Sequence, residues 1–241
     1  MSPFWMFVTT AGILQMSVFF TTIYLHRTLT HRGLELNPVL ALFMHLELML
    51  FTGIVPREWV AVHRKHHRFS DREGDPHSPY IYGLWKVLFG NFFYYRTETK
   101  NREMVRKYTP DYKPDVLDHI PRGLLSFGPL VGLAIFMTMF GWVYGAAAWL
   151  AHVLLYILLN SMINSICHMI GYRNYDNLAT NLKWVALLTG GEGLHNNHHE
   201  FPTSARFARK GLEIDPAWPV IRILEFLRLA RIQGLPVAKA A

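Results

Sequence analysis

Cysteine is almost missing from this 241-residue chain: Cys167 stands alone. One thiol excludes an internal disulfide and any metal cluster built on cysteine. A small buried core residue is the plainer role for it. Charge is also missing, in blocks. Ser2 to Leu25 holds no Asp, Glu, Lys or Arg, and neither does Gly123 to Tyr172. The first block is long enough to cross a bilayer, and the second is long enough to cross, turn and return. The first block lacks the basic start and small-residue cleavage site of a signal peptide, so a retained span is expected.

What is present fits those gaps. Hydrophobic residues make up 51% of the chain, which excludes an ordinary soluble domain and places it with membrane proteins. Full spans are expected at about 4–25, 123–143 and 146–169, the last two bending at "FGWVYG", Phe140 to Gly145. The apolar stretch 36–55 is different, because it holds His45 and Glu47 and is bounded by Asn37-Pro38 and Pro56-Arg57. If it crossed, the histidines on its two sides would lie on opposite faces, with Arg57, Arg64, Lys65 and Arg68 outside. It therefore reads as a re-entrant or in-plane helix, and Glu47 on it as surface-facing.

Every Lys and Arg lies at Arg27, at Arg32, within 57–122 or within 173–239. The excess of positive charge marks 57–122 and 173–241 as a cytoplasmic cap, with the N-terminus and the bend on the other side. A net charge of +7 in this setting suits anionic headgroups or an acidic substrate tail better than nucleic acid. Within the cap, "YGLWKVLFGNFFYY" (82–95) is an amphipathic aromatic stretch. From Asp215-Pro216, "WPVIRILEFLRLARI" reads as a basic amphipathic helix lying on the membrane or packing on the cap. The expectation is one domain, 1–241: an all-α integral membrane protein whose cap holds a metal site, in a bacterial inner membrane.

Thirteen histidines are present, and nine fall into four groups. "HRTLTH" gives His26 and His31, "HRKHH" gives His63, His66 and His67, "NSICH" gives His168, and "HNNHH" gives His195, His198 and His199. The i, i+3, i+4 spacing of the second and fourth groups puts three rings on one helix face. Composition alone would yield roughly 0.04 such patterns; the chain has two. His26 and His31 sit about 140° apart on an ideal helix, so they converge only if the span unwinds at its end. Each group follows an apolar segment, so all can meet at one depth. Unmetallated, nine clustered imidazoles repel when protonated or leave nitrogens unsatisfied when neutral. Metal coordination resolves both problems, and nine nitrogens exceed the capacity of one ion, so two are implied. Imidazole suits iron, copper and zinc alike, and the metal stays open at this point. Asp71, Asp75 and Glu192 lie near enough to orient ligand rings. His77 in "DPH" supports the site from behind, and a loop or capping role is equally open to Asp71. His45, His119 and His152 match no group.

The order H-x4-H, H-x2-H-H, N-S-x-x-H-x-x-G-Y-R, G-E-G-x-H-N-x-H-H resembles the integral-membrane fatty acyl desaturases of the stearoyl-CoA Δ9 type. Glu58-Trp59 before the second box, "SDREGDPHSP" after it and "GYRNYD" (171–176) add to the likeness, which runs from about Ile23 to Glu225. The resemblance implies two irons held by His26, His31, His63, His66, His67, His168, His195, His198 and His199, with Asn164 reaching one through a water. It implies O2-dependent removal of two vicinal hydrogens from a long acyl chain on coenzyme A, a carrier protein or a lipid, introducing a cis double bond at Δ9. The chain would lie in an apolar tunnel with Trp59, Ser161 and Met162 on its wall. The electrons would come from a separate ferredoxin, rubredoxin or cytochrome b5, since no "HPGG" haem motif is present. Only one span precedes His26, where relatives usually have a hairpin, and Ser161 stands where animal relatives have Trp. The same boxes would serve a related di-iron oxygenase, such as a hydroxylase or a terminal alkene- or alkyne-forming enzyme. From another class comes a non-enzymatic membrane metal-binding protein, but its histidines would line a path across the bilayer instead of one face.

Overall fold

The computed structural model describes residues 2–125 and 127–233. Helix α1 (Pro3–Phe20) starts on a proline at its first turn, where the missing N–H costs nothing. It continues without interruption as a π-helix, Thr21–Thr30. The hydroxyls of Thr28 and Thr30 donate to the carbonyls five residues earlier, of Ile23 and Leu25 (both 2.8 Å), and reinforce the wide turn. Strand β1 (Leu34–Leu36) follows. Asn37 then caps α2 (Pro38–Phe51) by accepting from the Val39 amide.

A break at 52–55 turns the chain by 90° into α3 (Pro56–Phe69), the helix that carries the second histidine group. Helix α4 (Leu84–Lys100) comes next, then α5 (Arg102–Tyr108). The long apolar block forms α6 (Gly128–Phe140) and α7 (Trp142–Asn164), reversing at Gly141 inside the expected bend. One further turn, Ile166–Met169, bears His168. The third histidine box is the short α8 (His195–Glu200), and α9 (Ala217–Phe226) leads to β2 (Ala230–Ile232).

Two helices are long and apolar enough to cross a bilayer, Pro3–Thr30 and Trp142–Met169, and the bent pair α2–α3 is a third candidate. They pack side by side through Leu14, Val18 and Tyr156. Both run toward the histidines, so each delivers its ligand candidates at its C-terminal end. The stretch expected as a further span is helical for only 13 residues in α6, short of the roughly 20 that a crossing needs. Helix α2 packs on α6, and its 90° bend into α3 fits a broken span as well as a re-entrant segment. Its Glu47 is not surface-facing, however: it is buried and accepts from the Ser17 hydroxyl at 2.6 Å.

The all-α expectation needs one amendment. The segment expected to continue α9 turns out of the helix after Phe226 and pairs as β2 antiparallel with β1, Glu35 opposite Arg231. Leu34 and Leu36 thereby reach a core with Ile23, Leu25, Leu48 and Ile221. In α4, Leu88 packs inward while Trp85, Phe89 and Phe93 remain exposed, an aromatic face suited to a membrane interface.

Close approach of α6 to α2 depends on glycine. A Cβ on Gly132 would stand 2.4 Å from the Leu50 carbonyl oxygen, on rigid backbone. Gly132→Val should therefore wedge the two helices apart and cost about 1–3 kcal/mol. The check is a lowered thermal midpoint of the protein in detergent.

Candidate metal centre

The four histidine groups converge. His26 and His31 are five apart on the π-helix, where the His31 amide donates to the His26 carbonyl at 3.1 Å. Residues five apart then stack one above the other, and the two ring centroids lie 4.8 Å apart. The expected unwinding is thus a widening of the helix.

Two clusters form, His26, His31, His63, His67 and His198 in one and His66, His168, His195 and His199 in the other, each with candidate ligand atoms within 4.8 Å of one another. In the first, Nε2 atoms face each other from His26 to His198 (3.0 Å), His198 to His67 (2.9 Å) and His67 to His63 (3.0 Å). In the second they run from His168 to His195 (3.0 Å) and His195 to His199 (3.1 Å). The Nε2 atoms of His31 and His66 are buried with no hydrogen-bond partner among the described residues.

Carboxylates fix which nitrogen is free. Glu192 meets His26 Nδ1 at 2.6 Å, Asp71 meets His168 Nδ1 at 2.7 Å and Asp75 meets His66 Nδ1 at 3.0 Å. Each acid accepts a hydrogen bond from Nδ1–H and so leaves a lone pair on Nε2, aimed at its neighbours. Where facing Nε2 atoms both carry lone pairs at 3 Å, a cation between them relieves the repulsion. The spacing also discriminates between geometries. At a metal–nitrogen distance of roughly 2.1 Å, ligands at right angles stand roughly 3.0 Å apart and tetrahedral ones roughly 3.4 Å. The observed values fit the former, as in sites with more than four ligands. These donors therefore suit two ions with imidazole-rich shells.

Burial shapes the protonation of the third box. It pushes His195, His198 and His199 well below the ordinary histidine range, and charge on neighbouring imidazoles adds to the effect. Burial alone would raise Asp75, but His66 and the hydrogen bonds from His66 and His77 outweigh it and hold the acid well below its usual range. Glu192 is likewise lowered against its burial, by His26, Arg27 and Thr22. Neutral rings beside ionised acids are the form that binds metal.

The supporting residues come from local turns. Asp71 adopts φ 60°, a left-handed conformation Asp tolerates. Its amide donates to Asp75 and its carboxylate accepts from Ser78, so "SDREGDPHS" folds into one turn that presents two acids. Arg27 is buried under Glu192, with its Nη2 donating to both carboxylate oxygens of Asp215 at 3.1 Å and its guanidinium 3.7 Å above the Phe207 ring. At Gly191, with φ 98°, a Cβ would strike the Asp215 carboxylate, so only glycine lets Glu192 approach. Asn196 and Asn197, between the histidines of α8, are fully buried and bond the 174–181 loop, setting the orientation of the helix.

Sequence reasoning left Asp71 open and missed Arg27 and Asp215. A lone arginine ending an apolar span, needing a buried acid, was the available signal.

A cavity of about 740 Å³ adjoins the centre, within the range that holds one ligand. Its wall includes Phe51, Ile54, Trp149 and Val153; it meets the cluster of five at His26 and His63, and His77 also lines it. Trp59 lines it and stacks on His63, centroids 4.7 Å apart, and Asn164 lies on the same wall. Exposed Arg96, Lys100 and Arg102 stand at its rim. Ser161 and Met162 are off the wall, contrary to expectation. Asn160, Ile163 and Asn164 occupy that face of α7, and the two intervening positions point away. Met162 packs instead with Leu88, Cys167 and Val185.

The fatty acid desaturase family model matches residues 3–209. An acyl-CoA 5-desaturase from Anemone leveillei is 37% identical across 98% of this chain and 73% of its own length. An sn-1 stearoyl-lipid 9-desaturase from Anabaena variabilis is 32% identical across 87% and 76%. A Delta-9 acyl-lipid desaturase from Arabidopsis thaliana is 31% identical across 89% and 70%. The chain belongs to the fatty acid desaturase family and is an oxidoreductase that introduces double bonds into acyl chains.

Two outcomes follow from the centre. Asp71→Ala should weaken metal binding about 10- to 100-fold by freeing the His168 ring, as read by chelator competition. The metal-free protein should lose stability as pH falls through about 6.5. There the unfolded chain gains protons that the buried histidines, with their lowered values, refuse. A thermal midpoint that stays flat between pH 7.5 and 5.5 would contradict this.

Proposed function

From that family membership, we propose that the protein is an O2-dependent di-iron desaturase that makes a cis double bond, at Δ9, in a long-chain acyl thioester. The observation that carries the reading is the convergence of nine histidine ring nitrogens on two centres beside a largely apolar cavity. His26, His31, His63, His67 and His198 would hold one iron. His66, His168, His195 and His199 would hold the other, with Asn164 reaching it through a water. When bound, the iron pair supplies the oxidising power with O2 that unactivated methylene C–H bonds demand.

The chain's own residues do the rest. Trp59, Val153 and Ile163 confine the acyl chain so that one methylene pair faces the centre, and the apolar wall keeps water out. Glu192, Asp71 and Asp75 hold the ligand rings in register. Arg96, Lys100 and Arg102 at the rim suit an anionic carrier such as a coenzyme A or carrier-protein thioester, although acyl-lipid relatives show that lipid carriers occur in the family. In balance, the substrate loses two vicinal hydrogens while O2, two electrons and two protons complete the formation of two waters. The electrons would come from a separate ferredoxin, rubredoxin or cytochrome b5 docking on the basic face. The distribution of Lys and Arg supports a site on the cytoplasmic side of the membrane, which on this reading is a bacterial inner membrane.

Expression in a host that cannot make unsaturated fatty acids tests this. Lipid profiling should reveal a monounsaturated chain with its double bond at C9, absent when His66→Ala replaces the wild type. Iron-loaded wild-type protein that forms no unsaturated product would refute the proposal.

A further inference from the structure

The two histidine clusters meet the cavity differently. The cluster of five reaches the wall through its own members, His26 and His63, whereas none of the cluster of four lies on it. One further imidazole lines the wall beside that second cluster: His77, next to His66. It is 3% exposed, and neither Nδ1 nor Nε2 has a hydrogen-bond partner among the described residues. A buried ring with both nitrogens unsatisfied is costly unless a ligand completes it.

Its placement is fixed. Asp75, which holds His66, also accepts from the His77 amide at 3.0 Å, and the His66 and His77 rings lie 4.7 Å apart. A His77 nitrogen lies within 4.8 Å of candidate ligand atoms of His66 and Asp75, but His77 does not join the set of four around the second centre. It stands outside the set that would share one ion, while its ring neighbours His66 of that set. An ion held by four imidazoles would have room for a further small ligand if it took more than four donors.

Resting on the di-iron reading above, we propose that His77 is a positioning residue that hydrogen-bonds a small oxygen- or nitrogen-donor ligand at the open position of the four-histidine ion. Water or hydroxide would occupy the position at rest, and a small anion could replace it. This differs from a ligand role, and also from mere support of His66, which Asp75 already provides.

Azide titration of the iron-loaded, oxidised protein in detergent tests it, with azide followed by its charge-transfer absorption and iron counted per chain. His77→Leu should retain two irons and bind azide tenfold or more weakly, the scale of one lost hydrogen bond. His77→Asn is too short to reach the ligand and should behave alike, giving the same reading if the leucine variant does not accumulate. Unchanged azide affinity with two irons bound would overturn the proposal. So would a fall to one iron per chain, which would make His77 a ligand. Wild-type protein that takes up no iron would overturn the di-iron reading, and this one with it.

Discussion

Everything in this molecule answers to one crowding: buried imidazole nitrogens held about 3 Å apart. A metal ion can take up several of their lone pairs at once, so the fold must hold the nitrogens in place around the space it would fill. It does so from behind, with acids on Nδ1, and those acids are themselves anchored. Asp71 and Asp75 share one turn, and Glu192 lies against the buried Arg27. The cost of burying these charges is offset because each acid serves several donors at once. Removing one leaves a charge or a ring without its partner.

The membrane-spanning architecture is the other half of the solution. Two long apolar helices end at the same level with histidines at their C-terminal ends, and the right-angle turn between α2 and α3 brings a third helix across beneath them. The acyl cavity occupies the corner this turn creates. In the proposed reading, this would bring an acyl chain to the metal centre away from water, with the basic rim left for a polar headgroup.

Much of this was legible in the sequence. The doubled H-x2-H-H spacing announced a metal site because helical phase alone aligns those rings, and the misfit of His26 with His31 required a distorted helix end. Partner choice was not legible. Nothing local tells whether Asp71 faces solvent or His168 across 97 positions, nor that Arg27 reaches Asp215. Ser161 and Met162 lie off the cavity because the helical phase of α7 gives that face to Asn160, Ile163 and Asn164, which neither a family position nor membership of a span reveals. Glu47 was misjudged because an in-plane helix need not turn its polar groups toward water when another helix offers a hydroxyl. The strand after α9 escaped because its partner lies nearly two hundred residues earlier.

The widened helix from Thr21 to Thr30 makes this end of the chain sensitive to length more than to identity. Because the His26–His31 match rests on a five-residue repeat, the intervening side chains can vary while the count cannot. Losing a single residue there would tighten the coil toward the ordinary pitch and swing one imidazole round the axis, out of reach of its partners. In this short stretch, evolution is freer to respell than to edit the spacing.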